Sequence, residues 1–285
     1  MDLYLCGTKG LAALKAIIDN SFFVSSVAVM PDLGVLNDPF EELKNLAISN
    51  GIPLNPTGSK MSAPNALAVG WKKLITANYE NLYVIHDSLL PKYRGWNPLV
   101  SALQNRDSST GVSLIRADDQ MDHGPIIKQV QIPLNYPIRV REAMLLVEKE
   151  IFNLTLDLFK SLETKTVKYT NQDERSATFS IWRDEDDYKI DWNMSAERIC
   201  NFIDSVSFPY QSALSFIKDM RIRIAKAEVV EDIKVINRVP GKTWRLDGEF
   251  PIVLCGEGSI KILEMYLDGG YEQKLTLQSV RSRFT

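Results

Sequence analysis

The chain has 285 residues, which at roughly 150 residues per domain suggests about two domains. Apolar residues make up 45% and charged residues 24%, a profile that excludes disorder, collagen and coiled coil. Net charge is −3, so a broad nucleic-acid footprint has no support. With only two histidines, His86 and His123, a three-histidine zinc centre is impossible and any imidazole chemistry must use one of them. The three cysteines, Cys6, Cys200 and Cys255, form no CxxC pair and read as small buried hydrophobes in a reducing compartment. No run of apolar residues approaches the length of a membrane span, and the start lacks a basic segment followed by an apolar one. The expectation is a cytoplasmic protein with no membrane and no nucleic-acid partner.

Leu3–Cys6 is a short apolar run, followed by Gly7-Thr8-Lys9-Gly10 and then by Leu11, Leu14, Ile17 and Ile18 at helical spacing. With the valine-rich 24–30 run behind it, this is the opening of a βαβ unit. The glycine turn lacks both the GxGxxG and the P-loop spacing, so a plain tight turn competes with a phosphate cradle. Residues 40–50 read as a helix capped by Asp38 and stopped at Gly51, 52–54 as a short strand, and 55–66 as a loop. Strands are expected over 66–69, 82–85, 111–117 and 126–132, and helices over 99–103 and 140–162. This alternation predicts an α/β, Rossmann-like, parallel-rich sheet domain over residues 1–165. Residues 166–192 form a polar connector. After a helix over 195–205, short strands with turns predict a small β-rich open-barrel (OB-like) domain over 193–285.

Two stretches carry chemistry. The first, from Ile85 to Gly95, directly follows a predicted strand and so lies at a strand's carboxyl end, where open α/β sheets bind ligands. His86 there is placed to act on a substrate, although a strand-end histidine can equally cap its turn. The second, from Arg116 to Ile126, joins two predicted strands and carries Asp118, Asp119 and Asp122. A carboxylate reaching His86 would orient its ring and stabilise its protonated form. An acidic solvated turn around Asp122-His123-Gly124 is the plain alternative.

Taken together these segments resemble the formyltetrahydrofolate-dependent formyltransferases. The family pattern Asn-x-His-x-Ser-Leu-Leu-Pro-x-Tyr-Arg-Gly appears as VIHDSLLPKYRG, followed by Thr110-Gly111-Val112-Ser113 and Asp122-His123-Gly124-Pro125-Ile126. The tract 177–192, the segment 195–213 with Phe208-Pro209-Tyr210, and the β-rich end resemble the second domain of the transfer-RNA and sugar enzymes, so the likeness covers nearly the whole chain. It implies transfer of the formyl group of 10-formyltetrahydrofolate to a primary amine, without a metal. By the same resemblance His86 is the general base and Asp122 orients it. Ser88, Leu89, Leu90, Arg116, Ala117, Asp118 and Asp122 hold the folate. One position departs: Val84 stands where the family has asparagine and cannot donate to the formyl oxygen. Asn97 or a backbone N–H would have to replace it.

Among acceptors, length and charge balance favour the sugar N-formyltransferases. Their acceptors are UDP- or dTDP-linked 4-amino-4,6-dideoxyhexoses for surface polysaccharide, and the motif leans towards a UDP-linked sugar of the pseudaminic-acid-related kind. Lys9, Lys92 and Arg94 are then candidates for the diphosphate, and Tyr93, Trp96 and Phe208 for stacking on base or sugar. Methionyl-tRNA formyltransferase is the main rival. It would need a basic clamp, whereas the connector carries Asp184, Glu185, Asp186 and Asp187, and Arg221, Arg223 and Lys226 read as the solvated face of an edge strand. A folate-binding homologue without catalysis is the alternative from another class. Many members of the family are homodimers; no apolar stripe in the sequence marks an interface.

Overall fold

The protein is described here by a computed structural model that covers the chain apart from Thr57, Ser59 and Lys60, with residues 271–273 described by backbone alone. The loop expected over 55–66 therefore lies partly outside the described residues. In chain order the first elements are β1 (Asp2–Cys6), α1 (Gly7–Asp19), β2 (Ser26–Met30), α2 (Phe40–Ser49), β3 (Asn65–Val69) and β4 (Asn81–His86). Then come β5 (Arg94–Gly95), α3 (Pro98–Gln104), β6 (Ser109–Arg116), β7 (Ile126–Pro133), α4 (Val140–Glu163) and β8 (Phe179–Ser180). The last are α5 (Ala196–Ser205), β9 (Ala213–Ile217), β10 (Met220–Val230), β11 (Thr243–Asp247), β12 (Phe250–Leu254), β13 (Ser259–Leu267) and β14 (Gly270–Lys274).

Two compact units result. The first comprises Met1–Ala102, Ser108–Leu134 and Glu142–Trp182, and the second Leu103–Asp107, Asn135–Arg141 and Arg183–Thr285. Among the described residues the first unit holds a six-stranded sheet of order β2-β1-β3-β4-β6-β7. β1 pairs β2 and β3 in parallel, as β3 does β4, while β6 runs antiparallel to both its neighbours. Every residue of β1 is buried, as a strand covered on both faces requires. At the far edge β7 exposes Lys128, Gln129 and Gln131, the polar blunting typical of an unpaired strand. α1 turns Leu11, Leu14 and Ile17 inward, and α4 buries Val140, Ala143, Val147, Ile151, Leu154 and Leu158, the spacing of one helical face. Two local expectations change. Asp38 does not cap α2; its carboxylate instead accepts the Asp32 N–H at 2.8 Å and so stabilises the preceding loop. The 52–54 strand is reduced to a single bridge between Leu54 and Val27.

The second unit holds an antiparallel sheet of order β11-β12-β13-β10-β9, with β14 beside β13, and α5 packs on β10 and β13. Ser195 caps α5 by accepting the Arg198 N–H at 3.3 Å. Here the reading of β10 is corrected. It is an interior strand between β9 and β13, and Arg223 is 1% exposed rather than solvated. Its guanidinium bonds Asp268 at 2.7 Å, Glu185 and the Ser212 carbonyl, while Arg221 bonds the same two carboxylates. A register shift beside Lys226 breaks the alternation that the sequence pattern assumed. Burial pushes the Asp268 carboxyl up, but the two guanidinium groups outweigh it and hold it below its ordinary value. Among the described residues no helix is long and apolar enough to cross a membrane.

Arg223→Ala leaves Glu185 and Asp268 without their central counter-charge. The expected loss is about 2–3 kcal/mol in urea unfolding, less than for a fully buried pair because both carboxylates keep contact with water.

Candidate active site

His86 is the last residue of β4, so its side chain emerges at the carboxyl end of a central parallel strand. The ring is 7% exposed. Nε2 lies 2.9 Å from the Tyr93 carbonyl and Nδ1 3.5 Å from Asp122 Oδ2. Both partners only accept, so the nearer, the Tyr93 carbonyl, takes the Nε2–H, and Nδ1 donates to the carboxylate once the ring is protonated. Asp122 Oδ2 also accepts the Gly95 N–H at 2.8 Å. The structure therefore brings together His86 and Asp122 from the two stretches singled out in the sequence.

The two loops that frame this pair are bent sharply. Tyr93, Asn97 and Asp122 have φ of 57°, 50° and 52°, and Gly95 has φ of 100°. Left-handed non-glycine residues cost on the order of 1–3 kcal/mol each and persist only where the surroundings hold them. At Gly95 a Cβ would lie 2.5 Å from the Ser180 carbonyl, so glycine is required by approach as well as by φ.

Beneath the first loop, buried serines act as pins. Ser113 Oγ donates to the Ser88 carbonyl at 2.6 Å and accepts the Leu90 N–H at 3.1 Å. Gln129 Nε2 donates to Ser113 Oγ and to the Leu90 carbonyl, both at 2.8 Å. Ser88 Oγ donates to the Lys92 carbonyl at 2.7 Å. Leu89 rests where a side chain on Gly111 would stand. The 170–180 segment supplies the outer brace. Thr178 accepts the Tyr93 N–H through its hydroxyl and the Arg94 N–H through its carbonyl, and Ser180 accepts the Trp96 N–H.

The remaining candidates divide. Arg94 is 3% exposed, and its guanidinium grips Glu174 at 2.9 and 2.6 Å and Gln172 at 3.1 and 2.8 Å. The hydrogen bonds it donates to Glu174 raise its affinity for its proton. The expectation of Arg94 as a diphosphate ligand is thus corrected: its donors are committed inside the protein. Lys9, in the first turn of α1, is similarly engaged by Asp87 at 2.5 Å. Asp87 is buried, which pushes its carboxyl up, but Lys9 and His86 outweigh burial and hold it below its ordinary value. Lys92 is exposed, and Tyr93, Trp96 and Asn97 are half-buried. Asn97 immediately precedes α3, its carbonyl accepting the Ser101 N–H at 3.2 Å. Arg116 is exposed with its guanidinium 4.7 Å from the Tyr169 ring centre, Ala117 is half-buried, and Asp118 accepts from His123 at 2.5 Å. Phe208, half exposed, belongs to the second unit.

Val84 is two residues before His86 on the same sheet face. It packs with Trp71, Ile75, Tyr79 and Leu82 over a floor of Tyr4, Ala28, Ala66 and Ala68. The Trp71 Nε1 donor on that face is buried without a partner. Gln172, Glu174, Thr178, Ser180 and Gln129 were not singled out in the sequence, and Ser113 stood there only as part of a motif. For the brace, the alternation of Thr178 and Ser180 with Phe179 and Ile181 is the one local hint of a strand.

Family models match both parts of the chain: formyl transferase over residues 59–142, and formyl transferase, C-terminal domain, over 183–278. A protein of Thermodesulfovibrio yellowstonii named methionyl-tRNA formyltransferase is 31% identical over 284 residues, covering 90% of this chain and 87% of that protein. Two solved structures share the fold at 19% identity. One is an N-formyltransferase from Helicobacter canadensis in complex with folinic acid and dTDP-3-aminofucose, with TM-score 0.69 over 93% of this chain and 98% of that one. The other is WlaRD, a sugar 3N-formyl transferase in the presence of dTDP and 5-N-formyl-THF, with TM-score 0.70 over 98% and 97%.

Lys9→Met strands the Asp87 carboxylate, and urea unfolding should register a loss of about 3–5 kcal/mol that the added change Asp87→Asn largely restores. Because the folded carboxyl sits below its unfolded value of about 3.9, the pair's contribution is complete above that pH. It is lost as pH falls through the folded value, so Asp87→Asn should flatten the acid limb of the stability profile.

Proposed function

The chain belongs to the formyl transferase family and is a formyl-transferring enzyme; on that premise we propose that His86 is its general base. The carrying observation is the His86 ring lying between the Tyr93 carbonyl and the Asp122 carboxylate. The acceptor amine must be neutral to attack, and its proton goes to the His86 ring. Asp122, 3.5 Å from Nδ1, holds the ring in place and stabilises the imidazolium. The positive ring in turn stabilises negative charge developing at the reacting carbonyl oxygen and returns its proton to N10 as the formyl C–N10 bond breaks, so that tetrahydrofolate leaves neutral. Asn97 is the proposed donor in place of the family's asparagine, since Val84 offers none.

The proposed cosubstrate is 10-formyltetrahydrofolate, which supplies the formyl group. The residues beside His86 fit a flat, partly polar ring: the apolar face around Val84 and Leu82 carries the orphan Trp71 N–H, and the backbone of the 117–121 loop stands nearby in sequence to Asp122. Ser88, Leu89, Leu90 and residues 116–118 with Asp122 would hold it, Ser88 through the loop it shapes rather than through its hydroxyl. Folinic acid and 5-N-formyl-THF in the two solved relatives support this choice.

The proposed acceptor is the primary amine of a nucleotide-linked amino sugar, UDP- or dTDP-4-amino-4,6-dideoxyhexose, with Lys92, Tyr93 and Trp96 as contacts. The dTDP-sugar relatives support it, as does the pairing of Arg221 and of the buried Arg223 with Glu185 and Asp268, which offsets positive charge that a polyanion would draw on. A second reading, formylation of methionyl-tRNA, rests on the name of the 31% identical relative.

His86→Ala and Asp122→Asn should each lower kcat by about 100- to 10,000-fold with little change in KM. Asn97→Ala should cost about 100-fold if its amide serves the developing oxyanion. Formyl transfer from 10-formyltetrahydrofolate to UDP- and dTDP-amino sugars, with methionyl-tRNA in the same panel and mass spectrometry as readout, identifies the acceptor. Near wild-type turnover in His86→Ala would remove the base assignment.

A further inference from the structure

We propose that Gln172 is a positioning residue that sets Asp122 against His86. This rests on the reading of His86 and Asp122 given above. The side-chain amide of Gln172 donates through Nε2 to the carbonyls of Asp122 and Gly124, both at 2.8 Å. Both amide hydrogens are thereby used on the turn that carries Asp122. Its Oε1 accepts from Arg94 Nε at 3.1 Å and Nη2 at 2.8 Å. A flipped amide would set its hydrogens against the guanidinium donors, so Arg94 fixes which end of Gln172 faces Asp122. Arg94 is itself immobilised by the bidentate grip of Glu174.

Gln172 thus ties together the two loops whose relative placement decides the His86–Asp122 separation. One end grips the loop of Arg94 and Gly95, the other the loop of Asp122 and Gly124. Asp122 needs such a hold because its left-handed backbone is intrinsically unfavourable. Freed from the two donors, its backbone would relax and carry the carboxylate away from both the Gly95 N–H and the His86 ring. Gln172 bonds only backbone carbonyls and Arg94 in these contacts, so it acts through Asp122 and not on the substrate.

Gln172→Glu preserves size and the acceptor for Arg94, but sets an oxygen against the two carbonyls. The expected outcome is a fall in kcat of about 10- to 100-fold with KM for both substrates changed by less than about threefold, as for a misplaced catalytic group. In an Asp122→Asn background the same change should cost no more than about twofold, because the residue it positions is already disabled. The protein has two histidines, so ¹⁵N-labelled histidine gives two sets of ring signals, and loss of one set in His86→Ala assigns them. The His86 signals should move in Gln172→Glu in the direction in which Asp122→Asn moves them.

A Gln172→Glu enzyme with wild-type kcat and unmoved His86 signals would overturn the proposal, and so would a loss that multiplies fully with that of Asp122→Asn. If Gln172→Glu does not fold, Gln172→Met, which keeps reach and packing but makes neither set of bonds, carries the same arms. If neither folds, Asp122→Asn alone decides: His86 signals identical to wild type mean that Asp122 does not act on the ring and Gln172 has nothing to position. Failure here while His86→Ala and Asp122→Asn still abolish turnover rejects the positioning role alone. Full turnover in His86→Ala rejects the underlying site.

Discussion

The His86 imidazole is held between two acceptors that come from different loops, the Tyr93 carbonyl at 2.9 Å and the Asp122 carboxylate at 3.5 Å. The nearer takes the Nε2–H, and the other lies where a second ring N–H would donate. Both acceptors are presented by residues in left-handed conformations, so neither loop would keep this shape unaided. The rest of the first unit is organised around that requirement. Ser113 and Gln129 hold the 88–92 turn from below, and the 170–180 segment closes over it from the other side. Side chains bonded to main-chain groups do most of the bracing, which suits a site where small displacements matter.

Charge is handled the same way in both units: cations that the sequence offers to a ligand are largely committed to carboxylates of the protein. Lys9 serves Asp87, Arg94 serves Glu174, and Arg221 and Arg223 share Glu185 and Asp268. A buried or half-buried cation without such a partner would be costly, and a paired one has little field left for a distant phosphate. That balance bears on the acceptor. A polyanion with many phosphates needs many free cations, whereas a single diphosphate needs one or two, and Lys92 remains exposed beside the site.

Much of the fold was legible because its signals are local. Apolar runs of four to eight residues, helical spacing in 11–18 and 140–162, and the change to short strands after residue 213 each reflect burial of one segment against whatever covers it. The misreadings arose where partners are remote. Asp38 looks like a cap by position, yet bonds the Asp32 N–H. Arg221-Ile222-Arg223 alternates like an exposed edge, but strands on both sides and two distant carboxylates make Arg223 a core residue. Within the polar connector expected over 166–192, Gln172, Glu174 and Thr178 bond residues 48 to 85 positions away, which no window of sequence can reveal.

The chemistry available is already written in the order of residues: two imidazoles, a histidine at a strand end, an aspartate in a turn, and a valine where the family carries asparagine. Those depend on residue identity and on short-range spacing. Packing between distant segments sets which acceptors face the His86 ring, which cations are already neutralised, and that Gln172 and Arg94 belong to the site's support. These depend on angles and distances of a few ångströms between chain segments far apart in sequence, set by how the sheet and its loops pack.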